Sequence, residues 1–433
     1  MKQINLFWFR RDLRIEDNHA LFEALNADLP VLPIFIFDEN ILKLLPNKKD
    51  ARVEFIFRSL EKINKILSKY GKQIKYYHGE PLEIIKNISD EYQIHEVFAN
   101  EDYEPNAIQR DAQIRSFLES KNIGFQLYKD QVIFHKDEVM KVDGTPYTIY
   151  TPYSTIWLKQ FESIKLPSFN SEKLIKNLID HSSKNITLED IGFEETSIEF
   201  PSSEIDGSSI KKYDENRNLP AKDATSKLSL HLRFGTRSIR QIIAETKDLN
   251  FVFLKELIWR EFFMQILYHF PKVVDHNFKS KYDGIVWRND EVELQKWCEG
   301  KTGFPIVDAG MRELNSTGFM HNRVRMITAS FLVKDLLIDW RIGEAYFAEK
   351  LLDYELSSNN GNWQWAAGTG CDAAPYFRIF NPTSQQEKFD PDLKYIKKWI
   401  PEFGTEAYPK PMIDHKEART RALAVYKTGM KEF

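Results

Sequence analysis

Short apolar blocks alternate with helix-like stretches over roughly the first 130 residues. Four of the blocks have the length of one buried strand: residues 4–9, 32–37, 73–77 and 96–99. Between the second and the third, apolar residues recur every three to five positions over residues 51–70, which predicts a helix. Strands and helices in alternation predict an α/β N-terminal domain at residues 1–130, with a doubly wound parallel sheet. No Gly-x-Gly-x-x-Gly follows the first strand, so a Rossmann-type dinucleotide site is not predicted.

The periodic pattern weakens after this domain and then returns in another form. Residues 131–206 are predicted to be a linker, because residues 180–209 are rich in Ser, Glu, Asp and Asn and contain Pro201 and Gly207. Helical periods dominate residues 207–433, which predicts an all-α C-terminal domain.

Composition favours a folded protein of a reducing compartment. Hydrophobic residues make up 42% of the 433, and the two cysteines, Cys298 and Cys371, predict neither a disulfide framework nor a thiolate metal site. No run of about 18 apolar residues occurs, and the first apolar run is short and followed by Arg10-Arg11-Asp12. We therefore expect no membrane span and no signal peptide, and a cytoplasmic location.

Charge and tryptophan are unevenly distributed. Residues 1–206 hold 26 Lys and Arg against 34 Asp and Glu, a balance of −8, whereas residues 207–433 hold 34 against 30, a balance of +4. Seven of the nine tryptophans follow residue 258. The second half can therefore present anion-binding and stacking surfaces, although solvated faces and a packed core would give the same counts.

Two segments of the second half combine residues that suit a ligand. Residues 213–217 precede Thr-Ser-Lys-Leu-Ser at 225–229, which suits a phosphate at a helix start; the alternative is that Thr225 or Ser226 only caps a helix. On a helix, Glu256, Trp259 and Arg260 would share one face with Phe263. That face is either a pocket that stacks a ring and binds its edge, or an ion pair beside a packed Trp.

A third segment is poor in aliphatic side chains. Residues 359–368 are small, polar or aromatic, and Asp353 and Glu355 precede them, so a flat ligand can approach the backbone. Nearby in the sequence, Asn322 and Met326 would share a helix face. The histidines have no ligand-like spacing and no Ser or Cys nucleophile motif occurs, so neither a metal site nor acyl-transfer chemistry is predicted.

Together these segments resemble the DNA photolyase/cryptochrome flavoprotein family over nearly the whole chain. The runs that carry the resemblance are 7–14 (FWFRRDLR), 225–229, 256–263, 301–312 (KTGFPIVDAGMR), 363–365 (WQW) and 377–382 (FRIFNP). The chain looks most like the class I photolyases that repair cyclobutane pyrimidine dimers. The resemblance implies an N-terminal α/β domain, a long linker and a helical domain that holds FAD.

The resemblance also implies which residues contact FAD. They are Tyr213, Thr225, Ser226, Lys227, Leu228, Ser229, Phe253, Arg260, Arg325, Asp353, Tyr354, Glu355 and Asn359. Arg325 and Asp353 are expected to pair near the flavin ring, and Asn359 to lie beside its reactive nitrogen. Phe253 stands where the family has a Trp on the adenine side.

A pocket for a flipped-out dimer is implied in the same domain. Its residues are Glu256, Trp259, Arg260, Asn322, Met326 and Trp365, with Arg217, Arg323 and Arg378 on DNA phosphates. Glu256, Asn359 and Met326 are the expected catalytic residues. The family's 6–4 photoproduct branch would have a histidine at position 322, so Asn322 favours the cyclobutane dimer.

The family mechanism is light-driven electron transfer from reduced FAD to the dimer, which splits and returns the electron. Trp287, Trp340 and Trp363 match the family's electron-transfer chain, although three helical tryptophans are otherwise ordinary core residues. The expected partner is damaged DNA, and the protein is expected to be a nucleoid-associated monomer.

Two questions remain open in the sequence. Asn106-Ala107 and residues 38–52 depart from the folate-binding pattern, so a second, antenna chromophore could be of folate, deazaflavin or flavin type, or absent. The alternative function is a cryptochrome-type blue-light photoreceptor that does not repair DNA.

Overall fold

The computed structural model describes residues 3–180 and 185–430. Its five strands are β1 (Gln3–Phe9), β2 (Val31–Asp38), β3 (Lys75–Gly79), β4 (Gln93–Asn100) and β5 (Gly124–Tyr128). The helices up to residue 250 are α1 (His19–Asn26), α2 (Glu39–Leu42), α3 (Ala51–Leu67), α4 (Pro81–Glu91), α5 (Pro105–Ser120), α6 (Tyr150–Ser163), α7 (Gly207–Lys211), α8 (Tyr213–Asn216), α9 (Ser229–Arg233) and α10 (Ile239–Thr246). Those that follow are α11 (Phe251–His269), α12 (Glu291–Glu299), α13 (Pro305–Thr317), α14 (Asn322–Ser330), α15 (Trp340–Lys350), α16 (Leu356–Ala367), α17 (Pro382–Phe389), α18 (Lys394–Trp399) and α19 (His415–Gly429).

The sheet is parallel and doubly wound, as predicted. Its strand order is β3-β2-β1-β4-β5, so the chain winds outward from β1 in one direction and then from β4 in the other. Six of the seven residues of β1 are buried, because helices cover both faces of a parallel sheet of this kind.

The apolar blocks identify four of the five strands. Each of the predicted runs overlaps β1, β2, β3 or β4, and the predicted helix over 51–70 is α3 followed by a short 3₁₀ turn at Ser68–Tyr70. The strand β5 was missed. It lies at the sheet edge, and only one of its five residues is buried, so its sequence lacks the apolar run that marks an inner strand.

Two compact units account for the chain. The first comprises Met1–Glu138, Gln160–Glu204 and Lys227–Lys247, and the second comprises Val139–Lys159, Ile205–Ser226 and Asp248–Phe433. This division interleaves along the chain, whereas the predicted boundaries (1–130, 131–206, 207–433) are sequential.

The segment 131–206 is more structured than a plain linker. It contains the 14-residue helix α6 and three short 3₁₀ turns. Tyr150, Tyr153 and Trp157 of α6 are buried. Sequence reasoning missed α6 because most of its apolar residues are aromatic and interspersed with Thr and Ser, which weakens the helical period.

A buried ionic network fastens α10 within the first unit. The Arg14 guanidinium reaches both oxygens of Asp130, at 2.7 and 2.8 Å, and Arg240 of α10 bonds Asp17 at 2.9 Å and Asp130 at 2.8 Å. The two guanidiniums hold the pKa of the Asp130 carboxyl well below its usual range, against the opposing effect of burial. Arg14, the last residue of the run 7–14, therefore has a structural role in this network.

In the second unit, all the secondary-structure elements described beyond residue 248 are helices, which confirms the expected all-α C-terminal domain. One hydrophobic core of this unit contains the buried side chains of Trp297, Phe331, Trp340 and Trp363. In the described part of the chain no helix has the length and apolar content needed to cross a membrane.

Candidate functional site

A cavity in the second unit lies between α14, α16 and the turn that precedes α16. Nine residues singled out in the sequence line it: Asn322, Arg325, Met326, Asp353, Tyr354, Glu355, Asn359, Trp363 and Trp365. Ala329, Phe347, Leu351 and Ala366 add apolar wall. The fold therefore brings residues predicted to touch the flavin and residues predicted to touch the dimer to one space.

Helix α14 presents three of these residues on one face. Asn322 begins the helix, and Arg325 and Met326 follow one turn later. His321 caps the helix, because its Nδ1 accepts a hydrogen bond from the Arg323 backbone N–H at 3.2 Å. Burial and the neighbouring charges of Arg325, Arg323 and Arg217 lower the pKa of His321 to about 4, so its ring is neutral at pH 7.

Arg325 and Asp353 form the expected ion pair across the cavity wall. The guanidinium Nη2 of Arg325 lies 3.1 and 3.0 Å from the two oxygens of Asp353, and its Nε donates to the Met320 carbonyl at 2.7 Å. The carboxylate of Asp353 is only 6% exposed. Because both ends of the pair are held, the guanidinium keeps a fixed position beside the cavity.

Asn359 of α16 is oriented by a residue that sequence reasoning did not find. Its Nδ2 donates to the backbone carbonyl and to the side-chain Oε1 of Glu344 on α15, at 3.1 and 2.8 Å. Both partners are acceptors, so the amide orientation is fixed, and among the described residues its Oδ1 has no donor. Burial raises the pKa of the Glu344 carboxyl. No motif near Glu344 marks it in the sequence.

The three tryptophans of the predicted electron-transfer chain differ in exposure. Trp363 and Trp340 are 2% and 1% exposed, and Trp287 is half-buried. Helices α15 and α16 approach closely, since a Cβ on Gly343 would lie 2.3 Å from Cη2 of Trp363. Sequence reasoning did not single out Trp297, whose ring centroid lies 6.2 Å from that of Trp363.

The predicted helix face lies on α11, but its Glu256 binds a residue of another element that was itself expected to contact the ligand. The carboxylate of Glu256 forms an ion pair with Arg217, the residue expected on a DNA phosphate. The Arg217 guanidinium also lies 5.4 Å from the Tyr213 ring centroid, and Tyr213 meets Phe253 edge to face at 5.2 Å. Tyr213, Phe253, Arg217 and Glu256 are therefore one packed cluster.

Trp259 is stacked on a tyrosine that sequence reasoning placed in the linker. The Tyr150 and Trp259 rings have centroids 3.6 Å apart and an angle of 6° between their planes. Nothing in the local sequence around Tyr150 signals this contact, because it depends on how the chain folds back onto α11.

A cluster of guanidiniums near Asn322 has little negative charge to balance it. Burial and the charges of Arg217 and Arg378 together lower the pKa of Arg323. Arg323 donates to Asn218 Oδ1 at 2.7 Å and lies 4.5 Å from the Phe389 ring centroid. Among the described ion pairs, neither Arg323 nor Arg378 has a carboxylate partner, so these two cations suit an anionic ligand.

The hydroxyl-rich run 225–229 leads into helix α9, but neither Thr225 nor Ser226 is its N-cap residue. Helix α9 begins at Ser229, and its N-cap Leu228 makes no side-chain capping hydrogen bond, while Lys227 has a left-handed φ of 51°. Thr225 and Ser226 fall in the second unit and Lys227 to Ser229 in the first. Their predicted role at FAD, like that of Arg260, stays a prediction.

Comparison with known proteins agrees with this geometry. Family models described as "DNA photolyase" and "FAD binding domain of DNA photolyase" match residues 5–171 and 253–406. The deoxyribodipyrimidine photo-lyase of Escherichia coli is 37% identical, with 99% of each chain covered, and that of Halobacterium salinarum is 34% identical, with 98% of each covered.

Solved structures of the same kind superpose over the whole chain. A class III photolyase from Agrobacterium tumefaciens has a TM-score of 0.88 at 33% identity, covering 100% of this chain and 98% of its own. An archaeal photolyase from Sulfolobus tokodaii with two FAD molecules has 0.83 at 34%, covering 99% and 100%. A Synechocystis cryptochrome has 0.87 at 26%, covering 98% and 99%. This chain, with its FAD-binding domain in the helical half, belongs to the DNA photolyase family.

Proposed function

We propose that the protein repairs cyclobutane pyrimidine dimers in DNA by light-driven electron transfer from reduced FAD to a dimer turned out of the duplex. The observation that supports this most is the shared cavity. Residues expected at the flavin (Arg325, Asp353 and Asn359) and residues expected at the dimer (Asn322 and Met326) line one space. Electron transfer over a short distance requires that the donor, the flavin, and the acceptor, the dimer, lie side by side.

The residues present fit a flavin. FAD, when bound, supplies the light-driven electron. Asn359 offers a fixed Oδ1 acceptor for a ring N–H, and the Arg325–Asp353 pair offers charge and hydrogen bonds at the cavity wall. Phe347, Leu351 and Ala366 contribute apolar wall that keeps water away from the ligand.

On the dimer side, the chain supplies stacking and edge contacts. Trp365 lines the cavity, and Trp259 presents an indole on α11; stacking on such a ring is worth about 1–3 kcal/mol per base. Asn322 and Glu256 are polar groups for the base edges, and Met326 supplies a polarizable contact. Turning a dimer out of the stack costs less than turning out a normal pair, because its pairing is already damaged.

DNA phosphates account for the uncompensated arginines. Among the described ion pairs, Arg323 and Arg378 have no carboxylate partner, and Arg217 is paired only with Glu256. A phosphate between them would relieve the mutual repulsion that lowers the pKa of Arg323. With DNA as its substrate, we propose that the protein acts at the nucleoid in the cytoplasm, as a monomer.

The test is a repair assay on an oligonucleotide that carries one thymine dimer. Reduced, FAD-loaded protein is illuminated, and restored thymines are quantified. We expect restoration by wild type, and a lower dimer affinity and repair yield for Glu256→Ala at unchanged FAD content, because the pocket loses an edge acceptor and Arg217 loses its partner. Absence of light-dependent restoration by FAD-loaded wild type would refute the proposal.

The second candidate is a cryptochrome-type photoreceptor without repair activity, which the likeness to the Synechocystis cryptochrome supports. The same assay separates the two. A photoreceptor of this kind would hold and photoreduce FAD yet leave the dimers intact.

A second chromophore is a separate proposal. The Sulfolobus tokodaii photolyase contains two FAD molecules. For this chain we propose that a second chromophore, where one is bound, is of folate, deazaflavin or flavin type. The absorption spectrum of the purified protein, with its denatured extract, decides between these types and the absence of an antenna.

A further inference from the structure

One face of the Trp259 indole is occupied before any ligand arrives. The Tyr150 ring lies parallel to it, with centroids 3.6 Å apart and planes 6° apart, so the two rings overlap almost completely. Two further rings approach Trp259 without lying parallel to it: Phe262 meets it edge to face at 5.6 Å, and the Phe263 ring is tilted by 31° with its centroid 5.5 Å away. A base that stacks on Trp259 therefore has to use the other face.

Tyr150 is itself held by bonds that do not involve Trp259. Its hydroxyl donates to the Lys255 carbonyl of α11 at 2.9 Å, and its backbone N–H donates to Oδ2 of Asp372 at 3.1 Å. Phe262 packs edge to face against its ring at 5.9 Å. Tyr150 as a whole is 7% exposed, and these contacts hold its phenol ring in a fixed position against α11.

We propose that Tyr150 is a positioning residue for the dimer: it fixes the plane of the Trp259 indole so that the opposite face is ready to stack on the turned-out base. This inference rests on the proposed repair function. An indole free to rotate about its two side-chain torsions would lose that freedom on binding, and the loss would weaken the stack. The phenol removes the freedom in advance, so more of the stacking free energy appears as affinity.

The test measures affinity for a dimer-containing oligonucleotide and for its undamaged counterpart. Tyr150→Leu should bind the dimer about 3- to 10-fold more weakly, the range expected for loss of one aromatic pair. FAD content and affinity for undamaged DNA should not change. Tyr150→Phe keeps the ring and loses only the bond to the Lys255 carbonyl, so it should restore most of the lost affinity. Tyr153→Phe, one turn along α6 and in contact with Phe262 rather than Trp259, is the matched control and should bind as wild type.

A double-mutant cycle distinguishes positioning from general loss of structure. If Tyr150 acts through Trp259, Tyr150→Leu should weaken binding in the wild-type background but not in the Trp259→Ala background. Equal losses in both backgrounds would overturn the inference, and so would wild-type affinity for Tyr150→Leu. If the leucine variant fails to fold, Tyr150→Met, which fills similar volume without a flat ring, takes its place in the cycle.

The outcomes also separate this inference from the proposed function. If the wild-type protein does not prefer dimer-containing DNA, the proposed function is refuted. If the wild-type protein prefers the dimer and Tyr150→Leu and Tyr150→Met bind it with the same affinity as wild type, only the role of Tyr150 is refuted.

Discussion

At the scale of single residues, Glu256 and Arg217 form an ion pair between two side chains that were each expected to contact a ligand. Each was predicted to bind a different part of the DNA, and the structure pairs them with each other. Their side chains are 30% and 23% exposed, and an ion pair in such a setting contributes at most about 1 kcal/mol. A base edge and a phosphate can therefore replace the pair at small cost, which is consistent with both predicted roles.

His321 gives a pH-dependent prediction. Its folded pKa, about 4, lies below the usual 6.5, so the unfolded chain binds more protons between these values and stability is lost as pH falls through that window. By linkage this amounts to about 2 kcal/mol between pH 7 and pH 5. His321→Gln should reduce that loss, measured as the change in urea unfolding free energy between the two pH values.

His415 is the matched control with the opposite sign. Its bond to the buried carboxylate of Asp335 raises the pKa of His415, so its contribution to stability is present at low pH and lost as pH rises. His415→Gln should therefore destabilise the protein more at pH 5 than at pH 7. Identical pH dependence for wild type and His321→Gln would contradict the assignment of a neutral, buried His321.

At the scale of elements, the contact between α15 and α16 controls the environment of the buried tryptophans. Gly343 lets the two helices approach until the Trp363 ring fills the space where a Cβ would lie. Trp340 begins α15, and its Nε1 donates to Oδ1 of Asn277 at 2.9 Å. Packing and this hydrogen bond therefore hold the two rings, which are 2% and 1% exposed, in fixed positions.

We expect Trp340→Phe to slow photoreduction of oxidised FAD and to leave repair by chemically reduced protein nearly intact. The reason is that, in the proposed mechanism, repair takes its electron from the flavin, whereas photoreduction of oxidised FAD draws electrons from the tryptophans. The two rates are measured by flavin absorbance under illumination and by the dimer assay. Trp297→Phe is the comparison, because Trp297 also contacts Trp363. If Trp340→Phe photoreduced FAD at the wild-type rate and Trp297→Phe did so slowly, the electron path to the flavin would run through Trp297 instead of Trp340.

At the scale of the whole molecule, the uneven charge leads to a prediction about salt. The protein has a net charge of −4, so under the proposed function its association with DNA is expected to depend on local cations such as Arg323 and Arg378. Each phosphate contact releases counterions and adds about 0.9 to the negative slope of log affinity against log salt concentration.

Dimer affinity should therefore fall with salt, and Arg323→Ala should make that slope shallower by about 1. The control is Arg341→Ala, because Arg341 is already paired with Asp339 at 3.1 Å. The measurement is a fluorescence binding titration at several salt concentrations. A slope that is the same for wild type and Arg323→Ala would remove Arg323 from the phosphate contacts.

The sequence by itself determined the sheet, the helical second half and the family. Buried strands of a parallel sheet are apolar throughout, so β1, β2, β3 and β4 can be recognised from composition over a few residues. The long ordered runs, such as residues 301–312, identified the family because so many specified positions in order leave few alternatives. Of the nine cavity residues named in advance, Trp363 and Trp365 lie in the runs that carry the resemblance, and Asn322 and Met326 were also singled out by their spacing on one helix face. The roles expected of all nine were implied by the resemblance.

Tertiary structure alone decided which side chains meet. Tyr150 and Trp259 are 109 positions apart, and their stack depends on α6 folding back onto α11. The bond between Glu344 and Asn359, the pairing of Glu256 with Arg217 and the depressed pKa of His321 likewise arise from contacts between different elements. Hydrogen bonds, stacking and burial act over a few ångströms in space, whereas sequence patterns report only on neighbours along the chain. For that reason only the folded structure shows these contacts.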